Sequence, residues 1–151
     1  MWVNDYFHKI AYKDHNENIG KVWVFAEGKK KKVIGFVTLA MSYLGVRGHV
    51  KLSGITTYSH IPALLLGQMA RDSEYEGRGL GKLMHDWVII KALEFGEQVG
   101  CRLVMLDSVP DKVDMYRNWG FVTIDLKDDK KRENKTMFVD LAWHGYWVLP
   151  T

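Results

Sequence analysis

The segment that most limits how this chain can fold is RDSEYEGRGLGK at residues 71–82. Its three glycines, Gly77, Gly79 and Gly81, stand at every second position, just after an apolar run at 61–70 (IPALLLGQMA) and just before apolar residues at helical spacing. Glycine lets a backbone turn tightly and come close to a ligand, and a helix starting behind it presents free N–H groups and the positive end of its dipole. Strand, glycine turn and helix in that order predict an anion cradle, with Arg78 and Lys82 adding charge.

Spacing excludes the commonest nucleotide loops. A Walker A loop needs G-x-x-x-x-G-K-[ST], whereas Gly77 precedes Gly81 by one residue too few and Leu83 stands where Ser or Thr would bind magnesium. A Rossmann fingerprint starting at Gly77 and Gly79 needs a third glycine where Lys82 stands. Glycines that only close a helix start remain an alternative reading of this segment alone.

The flanking pattern predicts an α/β chain. Tyr6, Phe7, Ile10 and Ala11 give residues 4–15 near-helical spacing, and residues 21–26 (KVWVFA) and 33–44 read as strands joined by a basic turn at 27–32 (EGKKKK). Residues 46–58 are ambiguous, and 61–70 reads as a central strand covered on both faces. Leu80, Leu83, Met84, Trp87 and Val88 begin a long amphipathic helix expected to stop near Gly100. A strand at 102–106, a helix at 111–119 ended by Gly120, and strands at 121–126 and 136–142 complete a mixed sheet.

The bulk properties point to one domain over residues 1–151. No repeat is visible, the three prolines do not cluster, and 47% hydrophobic with 26% charged residues suits a core that needs neither disulfide nor structural metal. The lone Cys101 cannot pair internally, residues 1–10 lack the apolar run of a signal peptide, and no stretch is long enough to span a bilayer, so a cytoplasmic location without membrane contact is expected. The six histidines show no metal-ligand spacing, so no metal is expected. A formal charge of +3 is too mild to name a partner.

A second motif, MYRNWGF at 115–121, ends the short helix. Gly120 fits a helix C-cap and Phe121 its packing partner, while Tyr116 reads either as a core or rim residue or as a chemical group.

The two motifs in this order resemble the GNAT superfamily of acetyl-CoA-dependent N-acetyltransferases, over almost the whole chain. The family pattern [RQ]-x-x-G-x-[GA] corresponds to Glu76-Gly-Arg-Gly79-Leu-Gly81, with Glu76 departing from Arg or Gln. The resemblance implies a GNAT fold, a mixed and mostly antiparallel central sheet flanked by helices, with acetyl-CoA as cosubstrate. By the same resemblance the main chain of Met69, Ala70 and Arg71 would pair with the pantetheine arm. Glu76, Gly77, Arg78, Gly79, Leu80, Gly81 and Lys82 would form the pyrophosphate turn, and Tyr116 would protonate the departing thiolate. A phenol of pKa about 10 exceeds a thiol of about 8.5, so that transfer is mildly uphill in water.

Residues 4–15, 33–40 (VIGFVTLA) and 62–70 (PALLLGQMA) are similar to the GNAT toxins of bacterial toxin–antitoxin pairs, although Gln68 stands where many toxins have Arg. That likeness implies acetylation of the α-amine of aminoacyl-tRNA and an antitoxin partner. The chemistry agrees. No Asp, Glu or His occupies 61–71, so a base on the central strand is missing, and an α-amine of pKa about 7.7–8.0 needs one less than a lysine at about 10.4. Asp72, Glu74, Glu76 or His60 acting through water stay open as bases. Lys29 to Lys32 and Lys127, Lys130, Lys131 and Arg132 are candidate tRNA contacts, and Trp143, Tyr146 and Trp147 fit a homodimer contact. A small-molecule or protein N-acetyltransferase, and an inactive acyl-CoA- or antitoxin-binding module, are the rival readings.

Overall fold

The computed structural model describes residues 2–45, 58–124 and 132–142. The ambiguous segment up to residue 57, Lys127, Lys130 and Lys131, and the aromatic residues Trp143, Tyr146 and Trp147 lie outside them.

The chain opens with α1 (Trp2–Lys9) and α2 (Ala11–Asn16), where one helix was expected. The break falls at Ile10, whose φ of −116° is too extended for a helix although its ψ of −39° is helical. β1 (Lys21–Glu27), a 3₁₀ turn over Gly28–Lys30 and β2 (Lys32–Gly45) form the expected hairpin, closed by Lys31 at a left-handed φ of 51°. β3 (His60–Arg71), α3 (Leu80–Gly96), β4 (Leu103–Ser108), α4 (Val113–Asn118), β5 (Val122–Thr123) and β6 (Lys135–Asp140) follow. α3 stops at Gly96 rather than near Gly100, because the Phe95 carbonyl takes both the Gln98 and Val99 N–H groups and closes the helix.

The strands make a six-stranded sheet in the order β1-β2-β3-β4-β6-β5, flanked by helices. β3 and β4 are parallel; β1–β2, β4–β6 and β5–β6 are antiparallel, as expected of a mixed, mostly antiparallel sheet. β5 is shorter than the strand expected over 121–126, yet the Ile124 N–H still reaches the Thr136 carbonyl at 3.0 Å.

The chain groups into two compact units, residues 1–41 with 66–88 and residues 42–65 with 89–151. In the first, Tyr6, Ala11 and Phe36 are buried together with Phe7, Val22 and Ala70 around them. Gly35 is a packing requirement there: a Cβ would lie 2.7 Å from the Met84 sulfur and 3.1 Å from the Ala70 carbonyl oxygen. In the second, Leu44, Ile61, Ala63, Leu103, Ile124 and Phe138 form the core. Both faces of β3 are buried at Ala63 and Leu64, as a central strand requires.

The second unit also buries a charge. Asp140 is 0% exposed and accepts from Arg102 Nε at 2.6 Å and Nη2 at 3.0 Å. Removing the guanidinium leaves the carboxylate without its counter-charge, a loss of about 3–5 kcal/mol. Arg102→Met should therefore shift the urea midpoint of the purified protein sharply down, and an unchanged midpoint would show that Asp140 is compensated elsewhere.

Candidate functional site

The site is built where β3 ends. The Asp72 N–H donates to the Ile34 carbonyl at 2.7 Å, and the Asp72 carboxylate accepts the Glu74 N–H at 3.0 Å, starting a 3₁₀ turn over Ser73–Tyr75. Gly77 and Gly79 then take φ values of +72° and +80°, a conformation that costs an L-residue about 1–2 kcal/mol. An added Cβ at either meets nothing within 4 Å, so these glycines serve the backbone turn and leave open space before it.

α3 starts at Leu80, whose buried side chain anchors it. Its first helical bond runs from the Leu83 N–H to the Gly79 carbonyl at 3.1 Å, so the helix supplies no acceptor for the N–H groups of Leu80, Gly81 and Lys82. An anion fits this cradle. The expected turn residues from Glu76 to Lys82 are thus brought together in one strand–turn–helix junction. Immediately before it, Met69, Ala70 and Arg71 are partly exposed. The ladder with β4 pairs Ala63–Leu65 with Leu103–Met105 and stops, whereas β3 continues to Arg71.

Charges around the turn are paired. Lys32 Nζ lies 2.7 Å from Glu74 and 3.4 Å from Asp72, and the Tyr75 hydroxyl donates to Glu27 at 2.6 Å. The Arg78 guanidinium stacks on Tyr75, 4.4 Å from the ring centroid. The Glu76 carboxylate, which departs from the family pattern, lies 3.4 Å from Arg71 Nη2, and Lys82 pairs with Asp86 on the next helical turn. The Glu74 N–H above all, then Lys32, holds the Asp72 carboxyl below the usual carboxylate range, while the Glu74 carboxylate leads in raising the Lys32 ammonium. Lys32 is accordingly part of the turn's bracing rather than of a free basic tip; Lys29 and Lys31 remain exposed.

Tyr116 sits on α4 and is 9% exposed. Phe121 N–H bonds to the Tyr116 carbonyl and Gly120 N–H to the Arg117 carbonyl, both at 3.0 Å, with Gly120 at φ +96°. This is a Schellman closure, and the Phe121 ring packs on Tyr116 at 5.7 Å, as the sequence pattern predicts. Trp119 packs on the same ring at 5.6 Å. Burial pushes the phenol up to about 12.

His60, the first residue of β3, is exposed, with Nδ1 2.9 Å from Ser59 Oγ and its ring 4.8 Å from that of Tyr43. Among the described residues no group of three His, Cys, Asp or Glu side chains is placed to hold a metal. Sequence reasoning missed the braces from Glu27 and Lys32, which span 48 and 42 residues and leave no local signal. It also missed a Tyr6–Asp14 hydrogen bond of 3.2 Å beside Thr38, whose Oγ1 accepts the Gln68 N–H at 2.8 Å.

With this geometry, residues 2–121 match the family model described as the acetyltransferase (GNAT) family, and the chain belongs to that family. Among characterised proteins it is similar to a tRNA-acetylating toxin of Mycobacterium tuberculosis, 24% identical over 113 residues, a match covering 73% of this chain and 65% of that protein. Its fold is similar to AtaT complexed with acetyl-methionyl-tRNAfMet, with a TM-score of 0.82 at 18% identity over 95% of this chain and 84% of the other. It is also similar to a mutant AtaT toxin bound to the C-terminus of the antitoxin AtaR and acetyl-CoA, with a TM-score of 0.74 at 16% identity, covering 93% of this chain and 80% of that one.

The Tyr116 environment has a measurable consequence. The unfolded phenol ionises near 10 and the folded one near 12, so above pH 10 the unfolded chain binds fewer protons and stability falls until about pH 12, by up to about 3 kcal/mol. Absorbance at 295 nm should show one tyrosine titrating near 12 that is missing in Tyr116→Phe. Loss of only an ordinary titration near 10 in that variant would contradict the burial.

Proposed function

We propose that the chain transfers the acetyl group of acetyl-CoA to a primary amine, and that the acceptor is the α-amine of aminoacyl-tRNA. The observation that carries the reading is the open turn between β3 and α3, whose N–H groups and left-handed glycines suit a pyrophosphate. Bound there, acetyl-CoA supplies an acetyl group already activated as a thioester. The N–H groups of Leu80, Gly81 and Lys82 hold phosphate oxygens; the guanidinium of Arg78, steadied on Tyr75, adds charge. The main chain of Met69, Ala70 and Arg71, beyond the end of the β4 ladder, pairs with the pantetheine amides.

Tyr116 holds its proton at every physiological pH and offers it to the departing sulfur. Asp72, Glu74 and Glu76 are engaged with cations, and this favours an amine that is partly neutral without help. The tRNA-acetylating relative and the tRNA-bound structural neighbour support the same acceptor, and the AtaR-bound neighbour supports an antitoxin partner. A tRNA substrate also implies action in the cytoplasm.

Tyr116→Phe should lower turnover on aminoacyl-tRNA by about tenfold or more, with the Kd for acetyl-CoA unchanged. Equal loss of both, or of neither, excludes the acid role. Expression of the chain alone should arrest growth, and the same variant should relieve it; healthy growth with an active enzyme would move the acceptor to a small molecule or protein. Lys29→Gln with Lys31→Gln should flatten the salt dependence of tRNA binding by about two counterions, while a slope equal to wild type removes the tip from the interface.

A further inference from the structure

A cavity of about 180 Å³ opens in the first unit, lined by Tyr6, Asp14, Gly20, Thr38, Gly67 and Gln68 among others. Its polar groups form one directed chain. The Gln68 N–H donates to Thr38 Oγ1, the Thr38 hydroxyl serves the Tyr6 oxygen, and the Tyr6 hydroxyl donates to Asp14 Oδ2. Gly67 is required by this arrangement, since a Cβ there would stand 2.9 Å from Thr38 Oγ1. Among the described residues no Lys or Arg is paired with Asp14, in contrast to Asp72, Glu74 and Glu76 at the turn. The cavity is therefore walled by neutral side chains and one carboxylate, whose Oδ2 accepts from Tyr6.

We propose that this cavity binds the acceptor's primary ammonium group, with the Asp14 carboxylate as its counter-charge and Tyr6 and Thr38 as the residues that position Asp14. The assignment rests on the acetyltransferase reading for its place in the reaction. Gly67 and Gln68 directly precede Met69, so the cavity and the main chain assigned to pantetheine are consecutive on one strand. A volume of about 180 Å³ takes an ammonium group with its α-carbon and a short stem, so the nucleotide part of a tRNA stays outside. Pairing with the Asp14 carboxylate favours the ammonium form of the docked amine, and the low ordinary pKa of an α-amine, about 7.7–8.0, keeps small the cost of releasing that proton to water before attack. A hydroxyl acceptor gains no such charge pairing.

The test is an NMR titration of the full chain, without acetyl-CoA, using methionine amide and, as a control lacking the charge, N-acetyl-methionine amide. Methionine amide should shift the Thr38 and Gln68 amide signals, and the control should not. Asp14→Asn keeps the side chain's shape and should weaken that binding about tenfold, the worth of one hydrogen bond to a charged group. Tyr6→Phe, which keeps the carboxylate but frees it to turn, should weaken it about threefold. In turnover, Asp14→Asn should raise the KM for the acceptor by a similar factor and leave the Kd for acetyl-CoA alone. Wild-type affinity for methionine amide in folded Asp14→Asn, or equal shifts with the acetylated control, overturns the assignment. Binding at Thr38 and Gln68 in a protein that acetylates no amine would keep the amine site and refute the acetyltransferase reading instead.

Discussion

The site depends on two residues, Gly77 and Gly79, that take left-handed φ values between the end of β3 and the start of α3. A chain confined to negative φ would have to reach the helix by a longer loop, and the N–H groups of Leu80, Gly81 and Lys82 would no longer face open space at the strand's end. The turn is also held from outside. The β1–β2 hairpin sends Glu27 to Tyr75 and Lys32 to Glu74 and Asp72, so the 3₁₀ segment before the glycines is fastened at both ends. Individually such exposed contacts contribute little. Their value lies in orientation, because the Tyr75 ring they fix is the surface on which Arg78 rests.

That bracing resolves an electrostatic difficulty. Residues 72–76 carry Asp72, Glu74 and Glu76 just upstream of a turn suited to phosphate. Each carboxylate lies against a cation, Lys32 shared by the first two and Arg71 serving the third. Three carboxylates thus face two cations, and the guanidinium of Arg78 with the positive end of α3 offsets the charge that is left. The net charge of +3 gave no hint of this, since the distribution of charge over a few ångströms decides the field at the turn.

The parts of this structure that were legible in the sequence are those specified by neighbours in the chain. The glycine turn, the start of α3, the hairpin and the Schellman closure at Gly120 and Phe121 are all set within a few residues, and each lies where the pattern predicts, although Leu83, expected on the apolar stripe of α3, is exposed. The misreadings have the opposite character. The helix break leaves Ile10 itself exposed, while Tyr6, Phe7 and Ala11 still reach the same cluster around Phe36. Lys32 looked like one of four equivalent lysines until the partners 40 and 42 residues away were visible.

Tyr116 shows how one environment acts on structure and chemistry together. Its backbone carbonyl closes α4 and its ring is enclosed by Trp119 and Phe121, so the residue is needed for packing whether or not it reacts. The same enclosure raises the phenol to about 12, well above the roughly 8.5 of a thiol in water, which weakens it as an acid when judged against solvent. Solvent is the wrong reference for a proton passed between two desolvated atoms. A thiolate poorly solvated beside this phenol also holds a proton more tightly, so burial that shifts both partners upward preserves much of their difference. Burial thus keeps the phenol protonated at every physiological pH, so in the proposed reaction the aim of the hydroxyl is what would matter. The Schellman closure at Gly120 and Phe121 holds the backbone that carries the ring.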